Sequence, residues 1–116
     1  MHKIMNIQIF GIKKCFDTKK AERYFKERNI KFQFIDLKEK AISKGELTNI
    51  KNSVGLENLI DKKSKDYTKL NLDKIRSLDM REEILLKNPS LYMTPIVRNG
   101  KKATVGYKPE VWQTWE

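Results

Sequence analysis

At 116 residues the chain has room for one domain and one hydrophobic core. A composition of 39% hydrophobic and 34% charged residues excludes a disordered or low-complexity chain. No segment nears the roughly 18 apolar residues of a membrane span, and the first residues show no apolar stretch followed by a small-residue cleavage site, so a cytoplasmic protein with no membrane partner is expected.

Lys and Arg number 25 against 15 Asp and Glu, a formal charge of +10. The basic residues are mostly Lys, spread from Lys3 to Lys108, and lack the aromatic interleaving or Arg clustering of nucleic-acid readers. The charge therefore reads as a solvated surface that draws in small anions, and nucleic acid is ranked last among partners. One cysteine cannot form an intramolecular disulfide, and one histidine leaves no zinc site built from protein ligands alone. That histidine, His2, lies at the chain start, where a catalytic role is disfavoured.

In chain order, Ile4 to Gly11 carries β-formers bounded by glycine and predicts a first strand. Asp17 or Thr18 can cap a helix running through Asn29, with Ala21, Tyr24 and Phe25 at helical spacing. Lys31 to Asp36 alternates Phe32 and Phe34 with polar residues as a second strand, completing a βαβ unit. Ser43 with Glu46 three residues on is a capping box for a helix through about Val54, stopped by Gly55. From Leu56 to Leu86 the apolar positions recur in short helical pieces, including Leu70, Leu72, Ile75, Leu78, Met80 and Leu85, so residues about 43–88 form a helical insertion within a single 1–116 domain. Asn88-Pro89 ends it. Met93 to Arg98, Asn99-Gly100 and Lys102 to Tyr107 read as a β-hairpin. Pro109 opens a last helix whose Trp112 and Trp115 are assigned to core packing.

Chemistry is expected where the first strand ends. A thiol just ahead of a helix faces backbone N–H groups and the positive end of the helix dipole, both of which favour thiolate. Lys13, Lys14 and Lys19 add positive charge around Cys15. The competing reading of Cys15 is a small inert core residue, which its Lys-rich neighbourhood disfavours.

The stretch from Ile9 to Ile30, with Phe10-Gly11-Ile12-Lys13-Lys14-Cys15, Thr18 and Lys19-Lys20-Ala21, resembles the arsenate reductase (ArsC)/Spx family, and within it the YffB-like branch. Leu59 to Leu70, Thr94-Pro95-Ile96-Val97 and Val105-Gly106-Tyr107-Lys108-Pro109-Glu110 extend the likeness over nearly the whole chain. The resemblance implies an α/β, thioredoxin-like (glutaredoxin-like) mixed sheet flanked by helices, with Pro95 in cis facing the cysteine. It also implies that Thr94 offers its backbone to an incoming thiol. Where the family's arsenate reductases clamp arsenate with arginines, this chain has Lys19, the Asp61-Lys62-Lys63 stretch and Thr94. Lys lacks the planar bidentate fork of Arg, and Thr94 has no charge, which speaks against arsenate. The Spx redox switch needs a CxxC pair, and its second position here is Thr18.

The resulting expectation is a thiol-dependent reductase with Cys15 as nucleophile and no tightly bound cofactor. Lys13, Lys14, Thr18, Lys19, Lys63, Thr94 and Pro95 would bind substrate or glutathione, and glutathione or glutaredoxin would be the thiol partner. The alternative is a non-catalytic Spx-like regulator that binds RNA polymerase.

Overall fold

Alternation along the first strand divides the interior of the protein in two. The computed structural model describes residues 5–115; His2 and the expected strand start at Ile4 lie outside them. Strand β1 (Ile7–Gly11) turns Ile7 and Ile9 to one side of the sheet and Phe10 to the other, the period of two that a strand imposes. It pairs in parallel with β2 (Phe32–Asp36) and antiparallel with β3 (Ile96–Asn99), which pairs antiparallel with β4 (Lys102–Val105). The strand order is β2-β1-β3-β4, a mixed sheet with β1 near its middle.

Helix α1 (Phe16–Glu27) joins the parallel pair and buries Ala21, Tyr24 and Phe25 against Ile7, Ile9 and Val97. Trp112 and Trp115 complete this layer at 0% and 3% exposure, so the tryptophans are core residues. They belong to α5 (Pro109–Trp112) and the 3-10 turn Gln113–Trp115 that continues it. The indole N–H of Trp112 donates to Thr104 Oγ1 at 2.8 Å, which ties this helix to β4.

The opposite face is covered by the helical insertion. Helix α2 (Lys44–Val54) starts on the expected capping box: Ser43 Oγ accepts from Glu46 N, and Glu46 Oε1 accepts from Ser43 N. Gly55, at φ 86°, ends it. Helix α3 (Lys65–Lys69) and helix α4 (Leu78–Lys87) follow, separated by short 3-10 turns. Here the apolar pattern misleads. Leu78 and Met80 are 59% and 53% exposed, whereas Arg81 is 7% exposed. Its guanidinium donates to the carbonyls of Leu72 and Ile75, to Glu57 and to the Tyr67 hydroxyl. The Leu72 carbonyl already accepts from Ile75 N within its 3-10 turn, and the donor fork of one arginine adds a hydrogen bond there and another at the Ile75 carbonyl.

Two boundaries also differ from expectation. The hairpin loop is Gly100-Lys101, with Asn99 and Lys102 paired in the strands, one residue later than an Asn-Gly turn. Gly100 has positive φ at 61° and Lys101 does not, the pattern of a II′ loop in place of I′. Helix α1 begins at Phe16, and its N-cap is Cys15, not Asp17 or Thr18. Among the described residues, no helix is long and apolar enough to cross a membrane.

Candidate functional site

The cysteine occupies the position where a helix has unpaired amides to offer. Cys15 N donates to Ile12 O in a turn after β1, and the residue adopts the extended conformation of an N-cap. Its side chain closes no cap hydrogen bond as a neutral thiol. The backbone N–H groups of Thr18 and Asp17 nevertheless face the sulfur and favour its ionised form.

Two hydroxyls add to this. Thr18 is fully buried, and among the described residues its Oγ1 has no hydrogen-bond partner. A buried hydroxyl without an acceptor is unfavourable, and the atom that it can serve is the sulfur beside it once the thiol ionises. The Thr94 hydroxyl acts in the same direction, while the neutral thiol makes a long 3.7 Å contact with the Thr94 carbonyl. Partial burial pushes the Cys15 thiol up, and the Thr18 and Thr94 side chains with the two backbone amides together outweigh it. The net result is a thiol held below its ordinary value.

Thr18 can occupy this place because residue 11 has no side chain. A Cβ on Gly11 would lie 2.6 Å from both Oγ1 and Cγ2 of Thr18. The Gly11 carbonyl meanwhile accepts from Leu37 N, tying the strand end to the chain leaving β2.

Thr94 reaches the site from the other half of the chain, 79 residues away. The Thr94-Pro95 peptide is cis, and Pro95 is buried. Its carbonyl accepts from Gly106 N just past β4. The segment leading into Thr94 is held by the insertion: Tyr92 bridges Ile60, Met93 N donates to Leu59 O, and Asp61 N donates to Leu91 O.

The expected binding residues are brought together only in part. Thr18 and Thr94 meet at Cys15, and Pro95 follows Thr94 through the cis bond. Lys13, Lys14 and Lys19 are exposed on the turn and first helical turn around it. Backbone amides and hydroxyls, not these lysines, lower the thiol. Lys63 is exposed in the loop that follows Ile60, where its N–H donates to Asp61 Oδ1. Sequence reasoning missed Gly11 as the residue that makes room for Thr18. It also missed a cluster in which Lys20 Nζ lies 4.9 Å from the Phe16 ring centre and 5.4 Å from that of Tyr107. The spacing of four between Phe16 and Lys20 was its legible part.

A βαβ unit and a β-hairpin joined through a helical insertion, with an N-cap cysteine facing a cis-proline segment, define a thioredoxin-like domain. Residues 10–115 match the model of the ArsC family, and the chain belongs to that family. An uncharacterised protein of Haemophilus influenzae is 28% identical over 109 residues, covering 92% of this chain and 96% of its own. The global transcriptional regulator Spx of Streptococcus mutans is 29% identical over 108 residues, covering 90% of this chain and 78% of its own. Among solved structures, an arsenate reductase from Vibrio cholerae superposes with a TM-score of 0.87 at 24% identity, covering 98% of this chain and all of that one. The last likeness concerns the fold.

Proposed function

We propose that the protein is a thiol-dependent reductase in which Cys15 is the only protein nucleophile. The observation that carries this reading is the surroundings of the sulfur, with amides and hydroxyls on one side and the Thr94-Pro95 segment on the other. A thiolate stabilised in this way attacks a disulfide sulfur in line; a Cys15–sulfur bond forms and the other sulfur leaves as thiolate. The chain has no second cysteine, so release needs an external thiol. Glutathione or glutaredoxin attacks the substrate sulfur of the mixed disulfide and restores the Cys15 thiolate. A second glutathione attacks the new mixed disulfide at its glutathione sulfur, so that the substrate leaves as thiolate and oxidised glutathione forms. Thr94 presents its backbone to the incoming chain, and Thr18 receives the negative charge each time it returns. A lone thiol renewed by glutathione suits the reducing cytoplasm. Arsenate is a poor candidate substrate, because Lys19 and the lysines of the Asp61-Lys62-Lys63 stretch lack the bidentate fork of arginine and Thr94 has no charge.

A second reading, a regulator that binds RNA polymerase without turnover, is favoured by the likeness to the Spx proteins over 90% of the chain. The two separate in one assay. Reduced protein is mixed with a small asymmetric disulfide and excess glutathione, and oxidised glutathione is followed with time. The reductase reading expects turnover that vanishes in Cys15→Ser. Equal rates for the two proteins contradict it and favour the regulator.

A further inference from the structure

The helix that begins at the cysteine carries a stripe of positive charge leading away from it, ending at Arg28, whose guanidinium stacks on the Tyr24 ring at 3.8 Å and donates to the Tyr24 carbonyl. Phe16, Lys20, Arg23 and Tyr24, then Glu27 and Arg28, recur at spacings of three and four and so share one side of α1. All of these except Phe16, together with Tyr107 and Pro109, line a cavity of about 300 Å³. Arg23 and Arg28 are exposed, and among the described residues no ion pair engages Lys20, Arg23 or Arg28; the one carboxylate on the cavity wall is Glu27. The cavity starts at Lys20, on the helix that Cys15 caps. The Lys20 ammonium lies over both the Phe16 and the Tyr107 rings, Phe16 follows Cys15, and Tyr107 follows Gly106, whose N–H donates to Pro95 O. Phe16 is 71% exposed, Tyr107 39%, and Met93, which precedes Thr94, 39%. Three of the five large apolar side chains exposed among the described residues therefore lie on the segments that carry Cys15, Thr94 and the Gly106 bond to Pro95. Single exposed apolar residues are ordinary; a group of them on the segments that carry a nucleophile, beside cations without a carboxylate partner, suits a contact surface.

We infer that the disulfide which Cys15 attacks belongs to an acidic polypeptide segment, seated with its cysteine between Phe16, Met93 and Tyr107 and its carboxylates along Lys20, Arg23 and Arg28. The inference rests on the reductase reading and names its substrate class. Length decides between a polypeptide and a tripeptide. From Phe16 to Arg28 the helix rises about 18 Å, whereas three extended residues reach about 10 Å. Glutathione bound at Cys15 ends before Arg28; a segment of five or six residues reaches it.

The test uses short peptides whose single cysteine carries a thionitrobenzoate leaving group, flanked by Glu in one and by Lys in the other, together with thionitrobenzoate-modified glutathione. In each, the Cys15 thiolate bonds to the peptide sulfur and thionitrobenzoate departs with the electron pair, which colours the solution. The wild type is expected to react with the Glu peptide at least about tenfold faster than with the Lys peptide at low salt. In Arg23→Glu/Arg28→Glu that preference should collapse, while the glutathione reagent changes by less than about twofold. The control, Lys101→Glu/Lys102→Glu, alters the net charge equally at the hairpin loop, the far end of the sheet from Cys15, and should keep the preference. Equal peptide rates in the wild type, or equal loss in both double variants, overturns the inference. Iodoacetamide labelling of Cys15 is read alongside: a reactive thiol without peptide preference sinks this inference alone, and an unreactive thiol sinks the reductase reading itself.

Discussion

Thr18 rests against Gly11 so closely that a single added carbon on the glycine would lie 2.6 Å from the threonine hydroxyl. The contact fixes that hydroxyl, buried and without another partner among the described residues, beside the Cys15 sulfur. Thr18→Val keeps the shape and removes the donor. The pH midpoint of Cys15 alkylation should rise in this variant while the folded structure, followed by circular dichroism, is retained; an unmoved midpoint would assign the hydroxyl no part in holding the thiolate.

Gly11→Ala acts on the same contact from the other side. Overpacking between β1 and α1 should destabilise the fold by about 1–3 kcal/mol in urea unfolding and slow Cys15 alkylation at neutral pH. Stability and reactivity both unchanged would mean that Thr18 moves aside without consequence.

The lysines around Cys15 should matter to approach and not to ionisation. Lys13→Gln/Lys14→Gln is expected to leave the alkylation midpoint in place and to slow reaction with anionic disulfides at low salt, an effect that fades as salt screens the charge. A raised midpoint would restore the lysines to the role that the sequence alone suggested.

Arg81 gives a prediction about the insertion. Arg81→Met keeps the aliphatic stem, removes the arginine donor from the Ile75 carbonyl and leaves the Leu72 carbonyl with Ile75 N alone, so a loss of about 1–3 kcal/mol is expected from chemical unfolding. Glu57, with its side chain 46% exposed, contributes less. Glu57→Gln should cost below about 1 kcal/mol. Reversal of that order would mean that the ion pair, not the carbonyls, holds the turns.

These residues also show where sequence reasoning reached and where it stopped. The βαβ unit, the Ser43–Glu46 capping box, the Gly55 stop and the buried tryptophans were legible because each rests on local periodicity or on one side chain closing one backbone bond. The meeting of Cys15 with Thr94 came from family resemblance, since a separation of 79 positions carries no local signal of it. Arg81 was missed because burial of a cation depends on acceptors in turns nine and six residues earlier, which hydropathy does not register. Leu78 and Met80 were misplaced for the complementary reason, with the helical face turned so that the arginine points inward. The one-residue displacement of the hairpin loop follows from Gly100 taking the first loop position, a choice fixed by strand register and not by the dipeptide.

The lowered thiol links ionisation to stability with a definite sign. A group whose folded value lies below its unfolded one contributes stability that is present above the unfolded value and lost as pH falls through the folded value. Wild type should therefore gain stability over Cys15→Ser as pH rises from the folded value of Cys15 toward the ordinary thiol range, with a flat difference below it. A difference that shrinks over that window would give the shift the opposite sign.

The central claim is that folding, and not local sequence, makes Cys15 a stabilised thiolate. The direct measurement is the iodoacetamide alkylation rate against pH for the folded protein, with Cys15→Ser as blank, beside a peptide of residues 11–20 that has the same lysines but lacks the fold. The account predicts a midpoint for the protein clearly below that of the peptide. Coincident midpoints, or a higher one in the protein, would contradict it.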